Sequence, residues 1–309
     1  MNDPQNNSPL ISVIIPAYKA RNYLRDALQS IRAQDYKNIE IIIVDDVSPE
    51  PIADIVTEHL AFPDAPYLVV LKHETNQGLG GARNTGITAA KGEFIALLDH
   101  DDLWTPTHIS DIWNGIALNQ CDVGFCSAME FSGSPEKWSG LWGPDGNKVN
   151  GNPSFDLFQK SYITPSSAVI SKSLLLKLNG FNTQSEVHMC EDLDLWLRIA
   201  EHGAKFHYSL IPTTFYRKHA EQATTKVAYM TCQCAYVRQL HVGKVHGPWF
   251  KKRSIVAASW WQAFIAMRNE GVMRWDLLMN AIISSLPVPW EMARGICRLY
   301  GFSPFAKTG

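Results

Sequence analysis

The chain has no apolar run long enough to cross a bilayer. Its longest, SIVAASWWQAFIAM and LLMNAIISSLPVPW, fall short of the roughly 18–20 residues that span one. That argues against a transmembrane protein and leaves a membrane surface open. The opening MNDPQNNSPL lacks both a charged n-region and an apolar h-region, so no signal peptide is expected. Basic charge is not in excess, with 28 Lys and Arg against 30 Asp and Glu for a net charge of -2. A nucleic-acid footprint needs a basic patch or stripe, so that partner class is set aside. The six cysteines form no zinc pattern: Cys232-Gln233-Cys234 lacks the two-residue spacing and has no second pair nearby. They read as reduced thiols of a cytosolic protein. There is no internal repeat and no low-complexity tract. The chain does have material for a core, with 309 residues at 46% hydrophobic, enough for one large domain or two small ones.

Four short runs rich in Ile, Val and Leu stand out: LISVIIPAY, IEIIIVDD, YLVVLKH and EFIALLDHD. Between the first two, Leu24, Ala27, Leu28 and Ile31 recur at helical spacing. PIADIVTEHL and GGARNTGITAAKG read as two further helices. The alternation predicts right-handed βαβ units: an α/β fold with a mostly parallel sheet flanked by helices. In such a sheet, ligands bind at the carboxyl ends of the strands. Pro16-Ala17-Tyr18, Asp45-Asp46 and Asp99-His100-Asp101 all fall at strand ends, and hence on one edge. The stretch from about 131 to 155 is dense in Gly, Pro and Ser and predicts a long structureless loop of the functional or mobile kind. CEDLDLWLRIAEHG then predicts a helix with Leu193, Trp196, Leu197 and Ala200 on one face and Glu191 and Asp192 in its first turn. Past about 225 the chain reads as helical and Trp-rich, a C-terminal extension.

The sharpest local signal is IALLDHDDLW, where Asp99, Asp101 and Asp102 crowd the end of an apolar strand. Clustered carboxylates repel unless something positive sits among them. Asp-x-Asp at a strand end suits a hard divalent cation, Mg²⁺ or Mn²⁺, commonly held by one or two carboxylates plus substrate phosphates. The phosphates would come from a nucleotide. Tyr18 could then stack on its base, Asp45 or Asp46 could accept from a base N–H, and Arg83 could donate its paired fork to phosphate or carboxylate. The competing reading of the Asp cluster is a solvated turn. GLGGARNTG is not a dinucleotide loop, because Arg83 stands in the third glycine's place and the segment follows the third strand.

SVIIPAYKARNYLRDALQSIRAQDYKNIEIIIVDDVS, NQGLGGARNTGITAAKGEFIALLDHDDLWTP, EDLDLWLR and YRKH together resemble the family 2 glycosyltransferases over residues 10 to about 225. The resemblance implies a GT-A fold and an inverting enzyme that takes a nucleotide-activated sugar, with UDP as the expected nucleotide. Pro16, Ala17, Tyr18 and Asp46 would contact the nucleoside with Asp45 beside them, and Arg83 would lie close to base and phosphates. Asp99 would touch the ribose, while Asp101 would ligate the cation, joined by His219. Asp192 looks like the general base.

Such a reaction is one in-line displacement. A carboxylate deprotonates the attacking hydroxyl and a cation takes up the leaving diphosphate's charge. The acceptor would be a glycan or lipid-linked glycan, with Glu191, Trp138 and Trp142 as candidates to meet it. For the two tryptophans, packing under the loop is the preferred reading. The tail could lie on a membrane surface, but core packing is preferred there too. The expectation is thus a glycosyltransferase domain over 1–225 and a helical extension over 226–309, cytoplasmic or peripheral on the membrane's inner face.

Two departures stand out. Val47 occupies the place of a glycine in the usual DDGS, and NGFN, with Asn179 and Asn182, replaces GGFD. A nucleotidyltransferase would bring a basic, glycine-rich loop after the first strand, which PAYKARN does not resemble. A non-catalytic sugar-nucleotide binder would keep the site, but the intact set of acids argues against it.

Overall fold

ISVIIPA is buried at every position of β1 (Ile11–Ala17), as expected of a strand covered on both faces. In this computed structural model, residues 8–63, 65–144, 149, 153–220, 222 and 226–286 are described. On one side of β1 lies β2 (Ile39–Asp45), parallel, with Ile11 opposite Ile39 and Ala17 opposite Asp45. On the other lies β4 (Phe94–Leu97), also parallel, with Ile11 opposite Phe94. β3 (Tyr67–Lys72) adds to β2 in parallel.

Beyond β4 the sheet turns mixed. β8 (Ala168–Ser171) runs antiparallel to both β4 and β6 (Val123–Phe131). β9 (Phe206–Arg217) is parallel to β6, and β5 (Leu103–Trp104) is antiparallel to β9. The parallel half is therefore the half that carries the strand-end acids. Three helices follow where the pattern placed them: α1 (Leu24–Arg32), α2 (Ala53–Leu60) and α3 (Gly78–Ala89). The expected Leu24, Ala27, Leu28 and Ile31 are the buried face of α1. Gly86 of α3 lets that helix close on β1, because a Cβ there would stand 2.5 Å from the Ile14 side chain.

The stretch expected to be structureless is not so in its first part. After β6 come a 3-10 turn (Pro135–Lys137) and a short strand, β7 (Gly140–Trp142), antiparallel to β6 with Met129 opposite Leu141. Three residues of strand among glycines are too few to show as a pattern. The rest of that stretch lies largely outside the described residues.

The chain divides into two compact units, and the division is not linear along the sequence. The first comprises Met1–Pro153, Ser161–Thr183 and Arg198–Ala220; the second comprises Ser154–Lys160, Gln184–Leu197 and Glu221–Gly309. The first holds the whole sheet, with α4 (His108–Asn119) and α6 (Lys172–Lys177). The second holds α5 (Ser154–Gln159), the first turns of α7 (Glu191–Glu201), and α8 (Val227–His241), α9 (Trp249–Asn269) and α10 (Trp275–Ser285).

Inside the second unit, Arg238 Nε donates to the Phe158 carbonyl at 2.8 Å and His241 meets Asp194 at 3.0 Å, both residues of that pair being buried. This pair ties the start of α7 to α8. α10 buries Leu277, Ala281 and Ser284, while Trp275, Met279, Ile283 and Leu286 stand exposed. PVPW lies outside the described residues.

Two consequences for stability follow from the first unit. Val47 sits at φ 65, where a β-branched side chain is strained. Its side chain is exposed, so little packing is lost with it. Val47→Gly should therefore raise stability by about 1 kcal/mol, the relief of strain outweighing glycine's added freedom in the unfolded chain. Urea unfolding measures this, and a loss of stability would show the turn does not need the left-handed conformation.

His108 is fully buried, stacked on Trp104 with centroids 4.5 Å apart and hydrogen-bonded to Thr213 Oγ1 at 2.8 Å. Burial pushes its imidazole down from 6.5 to about 3. The unfolded chain then binds the proton that the folded chain refuses. Stability contributed by neutral His108 is complete above pH 6.5 and falls as pH drops from there toward 3, by up to roughly 1.4 kcal/mol per pH unit. His108→Phe should flatten that part of the pH–stability curve, read by urea unfolding between pH 4 and 7.

Candidate functional site

At the carboxyl edge, the chain leaves β2 through Asp45 and Asp46. Asp46 Oδ1 accepts the Gln77 N–H and Oδ2 the Gly78 N–H, each at 2.8 Å. These are the orphan amides at the start of α3, which has no cap from its own N-cap side chain. Asp46 Oδ1 also meets His73 Nδ1 at 2.7 Å, and the Asp46 carbonyl accepts from Asn76 Nδ2 at 2.9 Å. Both carboxylate oxygens of Asp46 are thus engaged in anchoring α3 to β2. Asp45 is different: Oδ1 accepts the Ser48 N–H at 2.8 Å, and Oδ2 takes no hydrogen bond among the described residues. Both expected base readers are buried, and Asp45 is the one with an oxygen that takes no hydrogen bond among the described residues. Tyr18, just beyond Pro16 and Ala17, is 45% exposed and presents a ring for stacking.

From α3, the buried Arg83 donates Nη2 to Asp99 Oδ1 at 2.7 Å, which fixes that carboxylate at the mouth of β4. The Asp99 N–H donates to Ser166 Oγ at 3.0 Å. The guanidinium of Arg83 lies over the Phe181 ring, 5.2 Å from its centroid. Asn84 clamps the same turn from both sides. Its Oδ1 accepts the Phe181 N–H at 2.7 Å and its Nδ2 donates to the Phe181 carbonyl at 2.8 Å. Asn179 and Gly180 both have positive φ there, 59 and 63, and Arg198 donates to the Leu178 and Gly180 carbonyls, each at 2.8 Å. The departure NGFN thus forms a rigid turn.

His100 Nδ1 lies 3.2 Å from the Pro16 carbonyl. Asp101 Oδ2 meets His219 Nε2 at 2.8 Å, both side chains partly open to solvent. Asp102 points inward and is buried. Its Oδ1 accepts the Arg217 N–H at 3.0 Å, and burial, followed by the charges of Asp101 and Asp99, holds its carboxyl well above the usual range. The Arg217 Nε donates to the Asp101 carbonyl at 2.8 Å while its Nη2 pairs with Asp26 at 3.0 Å. The Tyr23 ring covers both, 4.9 Å from the Arg217 guanidinium and 4.7 Å from the His219 ring. Tyr23, Ser166 and Arg217 hold this cluster in place, and sequence reasoning assigned none of them a role. Only the motif YRKH pointed to Arg217's neighbourhood.

In the second unit, Glu191 and Asp192 open α7, where acids are favoured by the helix dipole. Glu191, expected beside the acceptor, is buried at 5% exposure. Asp192 is partly exposed, and its Oδ1 accepts the Leu193 N–H at 2.7 Å. Of the pair, Asp192 therefore has the accessible carboxylate. Trp138 and Trp142, expected to pack under the loop, stand 50% and 40% exposed instead.

A model of glycosyl transferase family 2 matches residues 12–178, more than half of the chain. The chain belongs to that family. Among its relatives, the Escherichia coli UDP-Glc:alpha-D-GlcNAc-diphosphoundecaprenol beta-1,3-glucosyltransferase WfaP is 32% identical over 211 residues, 68% of this chain and 78% of that one. An uncharacterized glycosyltransferase of Rickettsia felis is 31% identical over 236 residues, 73% of this chain and 37% of that one. This family 2 chain spans only about a third of the length of several curated relatives that it matches.

Two solved structures share its fold. The S. aureus TarS 1-349 complex with UDP-GlcNAc has a TM-score of 0.66 at 20% identity, covering 89% of this chain and 79% of that one. The mannosyltransferase PcManGT from Pyrobaculum calidifontis, with GDP-Man and Mn²⁺, has a TM-score of 0.65 at 18% identity, covering 97% and 89%. The fold is GT-A.

For this family 2 member, the fit of a divalent cation rests on its own donors. Asp101 and His219 put one carboxylate and one imidazole within 2.8 Å of each other at the solvent-facing edge. No set of three ligating side chains is gathered among the described residues.

Proposed function

We propose that the chain is an inverting glycosyltransferase that moves a sugar from a nucleotide-diphospho-sugar, UDP-linked, onto a hydroxyl of a glycan or lipid-linked glycan. The observation that carries this reading is the register of β1, β2 and β4. It gathers Tyr18, Asp45, Asp99 and Asp101 on one sheet edge, with His219 on Asp101. Tyr18 stacks on the base, flanked by Pro16 and Ala17, and Asp45 Oδ2 accepts a base N–H. Asp46 and Arg83 act one step back, Asp46 by fixing α3 and Arg83 by orienting Asp99 toward the ribose. Asp101 and His219 would hold a divalent cation, Mn²⁺ or Mg²⁺, which neutralises the leaving diphosphate. Asp192 takes the acceptor's proton as its oxygen attacks the anomeric carbon.

The exposed Trp138 and Trp142 offer aromatic faces to an acceptor sugar. No helix among the described residues is long and apolar enough to cross a membrane. The exposed apolar face of α10 fits peripheral contact with the membrane that carries a lipid-linked acceptor. The UDP donor is supported by the substrate in the name of WfaP and by the ligand of TarS.

Titration calorimetry of UDP, once with Mn²⁺ and once with EDTA, tests the donor half of this reading. Binding that requires the metal is expected. If UDP fails to bind in both conditions, the nucleotide is a different one and the UDP assignment is withdrawn.

A further inference from the structure

The exposed apolar face of α10 belongs to a helix with no lysine or arginine, so it cannot tell one membrane from another by charge. The charge lies elsewhere in the second unit. Residues 222–269 hold seven Lys and Arg and no Asp or Glu, in a protein whose net charge is -2. Four of the seven, Lys244, Lys251, Lys252 and Arg253, crowd the turn that joins α8 to α9.

This turn breaks a local rule. The start of a helix favours acids, because its free amides and dipole are positive there. α9 instead opens Trp249-Phe250-Lys251-Lys252-Arg253, with no acid in its first turn and no side-chain cap. Its two aromatic residues are out of place as well. Trp249 and Phe250 are each about half exposed, in a run over 246–251 that is exposed throughout. The two rings meet edge to face with centroids 5.1 Å apart, and the Arg253 guanidinium lies 6.0 Å from the Trp249 ring centroid. Local preference given up without a gain inside the fold marks a functional surface.

The turn is nevertheless held in shape. Lys252 is buried, and its Nζ donates to the Val245 carbonyl at 2.7 Å. Gly247, at φ 135, lies so close to Phe155 that a Cβ there would stand 2.6 Å from its ring. A fixed tip of two aromatic rings among cations suits an anionic interface. The rings enter the headgroup layer, and the ammonium and guanidinium groups pair with phosphate.

We propose that the α8–α9 turn docks on a membrane surface of anionic phospholipid headgroups, with Trp249 and Phe250 inserted and Lys244, Lys251 and Arg253 on the phosphates. Charge excludes the two occupants that this chain itself supplies. A second copy on a two-fold axis would set the same basic patch against itself. Residues 287–309 bring three basic residues, Arg294, Arg298 and Lys307, against one acid, Glu291, and so share the patch's sign. A nucleic acid matches the charge but offers nothing to the apolar Trp275, Met279, Ile283 and Leu286 that the same unit exposes. What docking gives to catalysis rests on the reading of a lipid-linked acceptor; the docking itself does not.

Sedimentation of the full chain with vesicles tests this, phosphatidylcholine alone against phosphatidylcholine mixed with phosphatidylglycerol. Binding should be about 100-fold tighter with phosphatidylglycerol and should weaken as salt rises. Each exposed lysine contributes about fivefold, so Lys244→Gln with Lys251→Gln should weaken it about 25-fold. Lys177→Gln with Lys205→Gln removes the same charge from exposed positions of the first unit and should leave binding unchanged. Trp249→Ser with Phe250→Ser should weaken binding about tenfold and keep the preference for phosphatidylglycerol. On the unsubstituted chain, amides of residues 246–254 should exchange more slowly when anionic vesicles are present, a readout that no variant's folding affects.

Equal binding to both vesicles, or binding to neither, overturns the proposal. So does an equal loss in the control pair, or amide protection that spares the turn. Retention on polyuridylate with none on vesicles, or a dimer dispersed by Lys251→Glu, gives the turn to another partner and overturns it too. Vesicle binding is read with no sugar donor present, so it stands or fails apart from the glycosyltransferase reading.

Discussion

Asp192→Asn is expected to lower turnover about 10²–10⁴-fold while UDP binds as tightly as before. The substitution keeps the side chain's size and the oxygen that accepts the Leu193 N–H at 2.7 Å, so the first turn of α7 keeps its local bond. It removes only the capacity to take a proton. A general base acts in the transition state and not in the ground state, so its loss falls on kcat and spares donor affinity. The neighbouring Glu191 does not substitute for it, because its carboxylate is buried. Glu191→Gln should therefore affect stability more than rate. Single-turnover kinetics with saturating donor make the comparison. Normal turnover in Asp192→Asn would remove the base from this position altogether.

The half of the molecule that could be read from sequence is the half whose strands are buried on both faces. ISVIIPA and IEIIIVD are apolar but for Ser12 and Glu40, whose side chains pair with each other at 2.6 Å, so their ends could be located, and the acids at those ends followed. Val47 could be read as well, since a missing glycine in a tight turn points to a positive φ, and φ is 65.

What could not be read were contacts between residues far apart in the chain. Arg217 and His219 reach Asp101 across 116 and 118 positions because β9 returns beside β6, with a register shift between Cys126 and Ala128 that no periodicity predicts. Only the family resemblance singled out His219. Ser166 and Tyr23 gave no signal, being an ordinary serine and an ordinary tyrosine until the fold puts them against Asp99 and His219. Asp46 was placed at the nucleoside because its position along the strand is right. The structure engages both its oxygens with α3, and a residue's position does not reveal whether its lone pairs are already taken.

That division of labour gives a second large effect, which separates the two ends of a nucleotide. Asp101→Asn should abolish the metal-dependent part of UDP affinity and lower turnover by roughly two to three orders of magnitude, since a Lewis acid at the diphosphate contributes several kcal/mol. Asp45→Asn should behave differently. Its Oδ1 can still accept the Ser48 N–H at 2.8 Å, but a base N–H loses its charged partner. UDP affinity at saturating metal should drop about tenfold while the Mn²⁺ needed for half-maximal binding stays unchanged, and discrimination among nucleotides should relax.

His219→Ala distinguishes a ligand from a support. If the imidazole only steadies Asp101 through their 2.8 Å contact, Mn²⁺ concentration restores affinity in full. If it also ligates, the Mn²⁺ needed for half-maximal UDP binding rises by about 100-fold and the Mn²⁺/Mg²⁺ preference shifts toward Mg²⁺, because imidazole favours the transition metal. Calorimetry of UDP against a series of Mn²⁺ and Mg²⁺ concentrations reads all three variants on one scale. An Asp101→Asn protein that keeps metal-dependent UDP binding would move the cation off this strand end.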